Sequence, residues 1–307
     1  MPSLWRFGGL TPLKLTQLGM TKIGEDELST RSAALSYYFL LALFPMFLFL
    51  ASVLGLFAGP GSQLRDTIMN GLGRLAPGSA SGLVQNVVKQ TLIHSSGLKL
   101  AAGILGALWV ASGGMGAIVT SLNVIYRTKE TRSMIKQKLT IIGLTVALAL
   151  LVISALVLVL YGGKIGQLIA SHVGLGTVFR VTWQILQWPL TFFAMFLSFS
   201  IIYYYAPDVE QRTWYWVTPG AVIGVGLWLV ASIGFRIYLH FFNTYTATYG
   251  SLGAVIILML WLYITGFAIL VGGEVNWVIE NEDKRTAALE EEKHQLEQRL
   301  NTPTKAA

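Results

Sequence analysis

The chain is 307 residues long, and 54% of its residues are hydrophobic while only 12% are charged. Soluble domains carry about 25% charged residues, so this composition excludes an ordinary water-soluble domain and predicts a surface that faces lipid. The net charge of +7 comes from basic residues in short polar segments between apolar runs, which indicates membrane topology and excludes a single nucleic-acid-binding patch.

Six apolar stretches follow in chain order, at about 32–58, 100–124, 139–161, 181–206, 217–241 and 252–279. Each is long enough to cross a bilayer as a helix, which takes about 20 residues. Helices are expected because backbone that faces lipid must satisfy its own hydrogen bonds. The predicted fold class is therefore all-α, a polytopic membrane protein with six transmembrane helices.

Three regions are predicted: an N-terminal segment (1–31), the membrane domain (32–279) and a charged tail (280–307). Between the first two apolar stretches, residues 59–97 form a long outer loop with two amphipathic segments, which we expect to lie in the interface or to cover a cavity. Pro45 and Pro189 fall inside the first and fourth stretches, where a proline is expected to kink or break a helix.

Lys and Arg residues are unevenly distributed between the two sides of this topology. The side that holds both termini carries 15 of them, and the other side carries six. Because positive residues are enriched in cytoplasmic segments, both termini and the tail are predicted to be cytoplasmic.

An internal similarity appears when the chain is shifted by 120 residues, which aligns the second apolar stretch with the fifth and Asn123 with Asn243. Six helices would then form two halves of three with opposite topology, as in inverted-repeat transporters, whose sites lie between the halves. Small residues that are common in packed membrane helices also produce such matches, so coincidence remains an alternative to a 3+3 inverted repeat.

Arg236 and Glu274 are the only charged residues inside the six stretches, and such residues are functional candidates because burying a charge in lipid is costly. Arg236 could bind an anionic substrate through its planar fork or extend to the headgroups. Glu274 could form a structural ion pair with Arg31, Arg127 or Arg132, or act as a proton-coupling group.

Between the last two stretches lies an uncharged segment rich in hydroxyl and amide groups. It could bind polar headgroups or hydrogen-bond its own turn. With Asn123, its candidate substrate-binding residues are Asn243, Tyr245, Thr248 and Tyr249.

The sequence has none of the usual enzyme motifs, and most acidic residues lie in the two tails, which leaves a nuclease without clustered metal-binding carboxylates. The four histidines are dispersed and there is no cysteine. The sequence therefore predicts no enzyme, metal site or cofactor.

Three stretches resemble the YihY/BrkB family of bacterial inner-membrane proteins: AALSYYFLLALFP at 33–45, YYAPD with WVTPGA at 204–221, and YTATYGSLGA at 245–254. GEVN at 273–276 also fits. The resemblance implies a six-helix, multi-pass protein of the bacterial inner membrane. Lipid-related transport is suspected for some members, and a ribonuclease label was once attached to others.

The resulting hypothesis is a secondary transporter or flippase-like protein for an amphipathic, anionic lipid or metabolite. The alternatives are a membrane scaffold that binds envelope partners and a passive channel. The expected partners are membrane lipids and such a substrate, without nucleic acid, and the sequence carries no signal of oligomeric state.

Overall fold

The computed structural model describes residues 4–57, 97–173, 177–209, 213–241 and 251–301. In these ranges the elements are helices and no strand occurs, which confirms the all-α prediction. A 3-10 helix, Leu4–Gly9, comes first. It is followed by α1 (Pro12–Glu25), α2 (Leu28–Phe57), α3 (Gly97–Ile125), α4 (Met134–Val173), α5 (Thr177–Tyr205), α6 (Pro219–Phe241) and α7 (Ser251–Asn301).

Helices α2 to α7 correspond in order to the six predicted stretches. Five of them, α3 to α7, contain segments long and apolar enough to cross a membrane. Helix α2 lies outside that set of five, but it is 30 residues long and has no charged residue after Arg31. Pro45 and Pro189 lie inside α2 and α5 without interrupting either helix.

Several helices extend beyond the predicted boundaries, and α4 and α7 do so by the most residues. Helix α4 begins at Met134, before the predicted start at 139, and α7 runs for 51 residues into the charged tail without a break. Of the predicted outer loop, only Gly97 falls within the described residues, and the inverted repeat stays a prediction.

Helix α7 holds the bundle together, since it contacts α2, α3 and α6 as well as α1 and the 3-10 helix. Further neighbours are α1 with α2, α2 with α3, α3 with α4, α4 with α5, and α5 with α6. The main buried cluster includes Leu28 and Leu35 of α2, Val119 and Leu122 of α3, Tyr203 of α5 and Leu270 of α7.

Helices α6 and α7 approach each other closely at Gly220 and Gly272. A methyl group at Gly220 would overlap the carbonyl oxygen of Gly272, and one at Gly272 would overlap the Tyr203 hydroxyl. That hydroxyl donates a hydrogen bond to the Ile269 carbonyl over 2.8 Å. Glycine is therefore required at both positions for the backbones to approach this closely.

The N-terminal elements pack against one end of this bundle. Leu4, Leu10 and Leu15 form a second buried cluster with Val275, Val278 and Ile279 of α7. Thr11 caps α1 by accepting a hydrogen bond from the Lys14 amide, and Pro12 follows at the first helical position. We call this end the polar end; it comprises residues 4–27, 126–133, 206–209, 213–218 and 274–283.

The outer faces of the membrane-length helices are apolar. Large exposed hydrophobic side chains occur on α3, α4, α5 and α6, among them Leu105, Leu150, Trp188 and Val230. Exposed apolar surface of this extent is expected where the surrounding solvent is lipid.

Candidate functional site

Glu274 is fully buried, with 0% of its surface exposed. Neither carboxylate oxygen has a hydrogen-bond partner among the described residues. Asp26, in the turn between α1 and α2, is 8% exposed and is close enough to Glu274 to act on it electrostatically. Two carboxyl groups therefore lie near each other at the polar end. If one of them is protonated, its O–H can donate a hydrogen bond, which two ionised carboxylates cannot do.

The cations of this region pair with the neighbouring acids. Arg127 Nη2 lies 3.3 Å from Asp26 Oδ1 and 3.8 Å from Glu25 Oε2. Its guanidinium also lies 4.8 Å from the centre of the Trp277 ring. Lys22, which pairs with Glu25, lies over the same ring.

The predicted partners of Glu274 are thus placed as follows. Arg127 acts on Glu274 electrostatically, but it forms its ion pairs with Asp26 and Glu25. Arg132 pairs with Glu130 instead. Lys22, which was not predicted, also acts on Glu274 electrostatically. Arg31 donates from Nε to the Asp26 carbonyl over 2.9 Å. We call Glu274, Asp26, Glu25, Arg127 and Lys22 the acidic cluster.

A second polar group joins the end of α3 to the end of α5. Asn123 is buried; its Oδ1 accepts from the Asp208 amide over 2.8 Å, and its Nδ2 donates to Glu130 Oε2 over 2.9 Å. Arg132 donates to both oxygens of Glu130 and, over 3.0 Å, to the Ala206 carbonyl. Asn123 thus belongs to a hydrogen-bond network, which we call the α3–α5 network.

The carboxylates of this network are held in the ionised form. The pKa of Glu130 lies below its ordinary value, chiefly because of the hydrogen bond from Arg132. The pKa of Asp208 is also lowered, chiefly because the Thr131 hydroxyl donates to it. Because several hydrogen-bond donors surround these ionised carboxylates, the network stabilises the connection between α3 and α5.

The other predicted site residues lie elsewhere. Arg236 is an exposed residue of α6, near the end of the helix at Phe241 and therefore far from the start of α6 at the polar end. Asn243, Tyr245, Thr248 and Tyr249 lie outside the described residues.

Lys138 is a charged residue of a membrane helix that was not among the predicted site residues. Its Nζ donates to Ser112 Oγ over 2.8 Å and to the Trp109 carbonyl over 3.3 Å, and it lies 4.2 Å from the centre of the Trp109 ring. It was missed because the third stretch was predicted to begin at 139. A lysine directly before a long apolar run was the available signal.

Within the polar end, Asn276 links α7 to the start of α6. Its Oδ1 accepts from the Gly220 amide over 2.8 Å, and its Nδ2 donates to Thr218 Oγ1 over 3.0 Å. A cavity of about 20 Å³ beside it, lined by Ser200, Thr218 and Asn276 among others, is large enough for a water molecule. This arrangement explains the WVTPGA and GEVN motifs as two sides of one helix contact.

The part of the chain that the structure describes contains no group of three His, Asp or Glu residues that could hold a metal ion. The chemistry it does contain is that of buried carboxyl groups and membrane-embedded cations.

Comparison with known proteins assigns the family. The family model described as Virulence factor BrkB matches residues 20–297. The ribonuclease-like protein YfkH of Bacillus subtilis is 38% identical over 258 residues, which cover 84% of this chain and 92% of that protein. The UPF0761 membrane protein VSAL_I2938 of Aliivibrio salmonicida is 30% identical over 286 residues, 92% of this chain and 84% of the relative.

The UPF0761 membrane protein VV0203 of Vibrio vulnificus is 28% identical over 284 residues, which cover 90% of this chain and 82% of the relative. No solved structure matches the chain. Because the family model spans nearly the whole sequence and several relatives are named as membrane proteins, this chain belongs to the BrkB family of multi-pass membrane proteins.

Proposed function

We propose that this protein is a secondary transporter or flippase-like protein that moves an amphipathic, anionic lipid or metabolite across the bacterial inner membrane. In this proposal Glu274 is the proton-coupling group and the polar end faces the cytoplasm. The fully buried, unpartnered carboxyl of Glu274 is the observation that carries the proposal.

Burying a charge in a membrane helix is costly. An ionised carboxylate without hydrogen-bond donors costs several kcal/mol in a membrane helix. A purely structural position would be served better by glutamine, which has the same shape and no charge. A glutamate that accepts and releases a proton is useful when the proton movement is coupled to another process.

The surroundings of Glu274 provide a route for such a proton. Asp26 lies near Glu274, in the turn before α2, and is slightly exposed. Arg127 pairs with Asp26 from the end of α3. A change in the charge of Glu274 would therefore act on the contacts of three helices, α2, α3 and α7. This is the link between protonation and helix movement that a secondary transporter requires.

The test is flipping of fluorescent phosphatidylglycerol in proteoliposomes, measured with and without a pH gradient. We expect the wild type to respond to the gradient and Glu274→Gln to lose that response while remaining folded. Glu291→Gln is the matched control, because Glu291 is exposed on the same helix. Equal responses of Glu274→Gln and Glu291→Gln would contradict the proposal.

A membrane scaffold is the second candidate function. Helix α7 continues to Asn301, and its described residues from 284 to 293 carry exposed charges. From Glu280 onward it extends for about 30 Å at helical rise, which offers a surface for a partner. Removal of residues 286–307 separates the two candidates, since a transporter would retain gradient-driven flipping and a scaffold would lose partner binding.

A further inference from the structure

We propose that Lys138 and Trp109 form a binding site for the phosphate group of an anionic phospholipid, on the lipid-facing side of the groove between α3 and α4. The site deepens the proposed function by naming a ligand class. The role of the bound lipid rests on the proposed function, whereas the existence of the binding site does not.

The first step is the position of the ammonium group in the membrane. Helix α3 has 29 residues, and Trp109 and Ser112, which accept hydrogen bonds from Lys138, lie near its middle. Ile141 of α4 packs next to Gly116 of α3. Because α4 starts at the polar end, the backbone of Lys138 lies closer to that end than Ile141 does. The ammonium group of Lys138 therefore lies farther from the polar end than its own backbone does.

This direction is the opposite of what a lysine normally takes. A lysine near a helix end extends towards the interface, where its charge remains hydrated. In a helix, moreover, the Cα–Cβ bond tilts towards the N-terminus, which for α4 means towards the polar end. Lys138 instead places its charge against the backbone of α3. Holding a charge inside the membrane costs free energy, and this is expected where the charge binds a ligand.

The second step is the unfilled binding capacity of the ammonium. Two of its three hydrogen-bond donors are directed to Ser112 Oγ and the Trp109 carbonyl. Among the described residues no carboxylate forms an ion pair with it. One donor and a full positive charge thus remain for an anion, and a phosphate oxygen provides both the charge and the acceptor.

The exposed apolar surface around Trp109 favours a lipid as the source of the anion. Trp109 is 58% exposed, and Leu105, Val110 and Leu139 around it are also exposed. These side chains form an apolar surface that suits acyl chains and would not attract free phosphate from water. The indole beside the ammonium adds a cation–π contact that orients the charge towards this surface.

The experiment is native mass spectrometry of the full-length protein in detergent with phosphatidylglycerol added. We expect Lys138→Gln to reduce the fraction of lipid-bound protein roughly tenfold, the effect of losing one charge-assisted hydrogen bond. Lys136→Gln is the matched control, since Lys136 is exposed on the first turn of the same helix. Equal binding by the two variants would overturn the proposal.

Further variants and ligands separate a binding site from a structural lysine. Lys138→Arg should keep the preference for phosphatidylglycerol over phosphatidylcholine, and Trp109→Leu should weaken it while leaving the charge in place. No preference between the two lipids in the wild type would overturn the proposal. Displacement of phosphatidylglycerol by inorganic phosphate at millimolar concentration would do so as well, because it would identify free phosphate as the ligand.

This binding measurement is independent of transport. Loss of lipid binding in Lys138→Gln together with unimpaired gradient-driven flipping would refute the link to the proposed function and leave the site itself standing.

Discussion

Glu274, Lys138 and Arg236 are three ionisable residues on membrane helices, and their surroundings give them different roles. Glu274 is enclosed by protein and lacks a hydrogen-bond donor among the described residues. Lys138 is bound to the backbone and a hydroxyl of the neighbouring helix. Arg236 is exposed near the end of α6.

The unpartnered state of Glu274 leads to a prediction for stability. We expect Glu274→Gln to leave the free energy of unfolding unchanged or to raise it by about 1 kcal/mol, because the amide can donate to Asp26 and removes a buried carboxyl. The measurement is thermal melting in detergent. A loss of stability would show that Glu274 ties the helix ends together as a structural acid.

Arg236 can be tested by a pair of substitutions. Its exposed position favours a side chain that extends to the headgroups, so we expect Arg236→Lys to flip phosphatidylglycerol as fast as the wild type. Lipid flipping in proteoliposomes at equal protein per liposome measures this. A marked defect of the lysine variant would instead indicate that the planar fork of arginine binds an anion, and Arg236→Gln should then be worse still.

At the scale of elements, the α3–α5 network should make the polar end sensitive to acid. The pKa values of Glu130 and Asp208 are lowered in the folded protein. Their contribution to stability is therefore complete above the ordinary carboxyl pKa values of 4.5 and 3.8, and it is lost as the pH falls through the lower values of the folded state.

We therefore expect the melting temperature to fall on acidification below about pH 4.5. Arg132→Gln should lower the stability at neutral pH, by about 1 to 3 kcal/mol, and make the acid-induced loss smaller. Arg285→Gln is the control, since Arg285 is exposed on α7 and its carboxylate partner is one helical turn away. An unchanged acid profile in Arg132→Gln would exclude the network as the cause.

The contact between α6 and α7 yields a matched comparison on one helix. Gly220→Ala should destabilise the protein by about 2 kcal/mol or more, because the new methyl group would overlap the Gly272 carbonyl and the Asn276 side chain. Gly226→Ala should be neutral or slightly stabilising, since nothing lies within 4 Å of the added atom and alanine favours helix. Melting of the two variants side by side tests the contact, and similar values would contradict it.

At the scale of the whole molecule, topology is the outstanding prediction. Because the chain has no cysteine, single cysteines can be labelled without background. A cysteine at Ser133, which is exposed at the polar end, should be protected from a membrane-impermeant thiol reagent in intact cells, whereas one at Ser79 should react. The opposite pattern would place the polar end outside the cytoplasm.

The amino-acid sequence was sufficient for the arrangement along the chain. Apolar runs of bilayer length predicted the order of helices α2 to α7, since each helix satisfies its own backbone and its length depends on local composition. The sequence also identified Glu274, because a charge within such a run is visible without knowledge of its neighbours.

Only the tertiary structure decided which polar groups meet. Asn123, predicted as a substrate ligand, is placed in a network with Glu130 and Asp208. Lys138 lay at the edge of an apolar run, and its inward direction depends on the hydroxyl and carbonyl that α3 presents to it. Likewise, Asp26 and Arg127, 101 positions apart in the chain, meet at the acidic cluster. Such encounters depend on how helices pack in three dimensions, and hydrophobic periodicity along one segment carries no information about them.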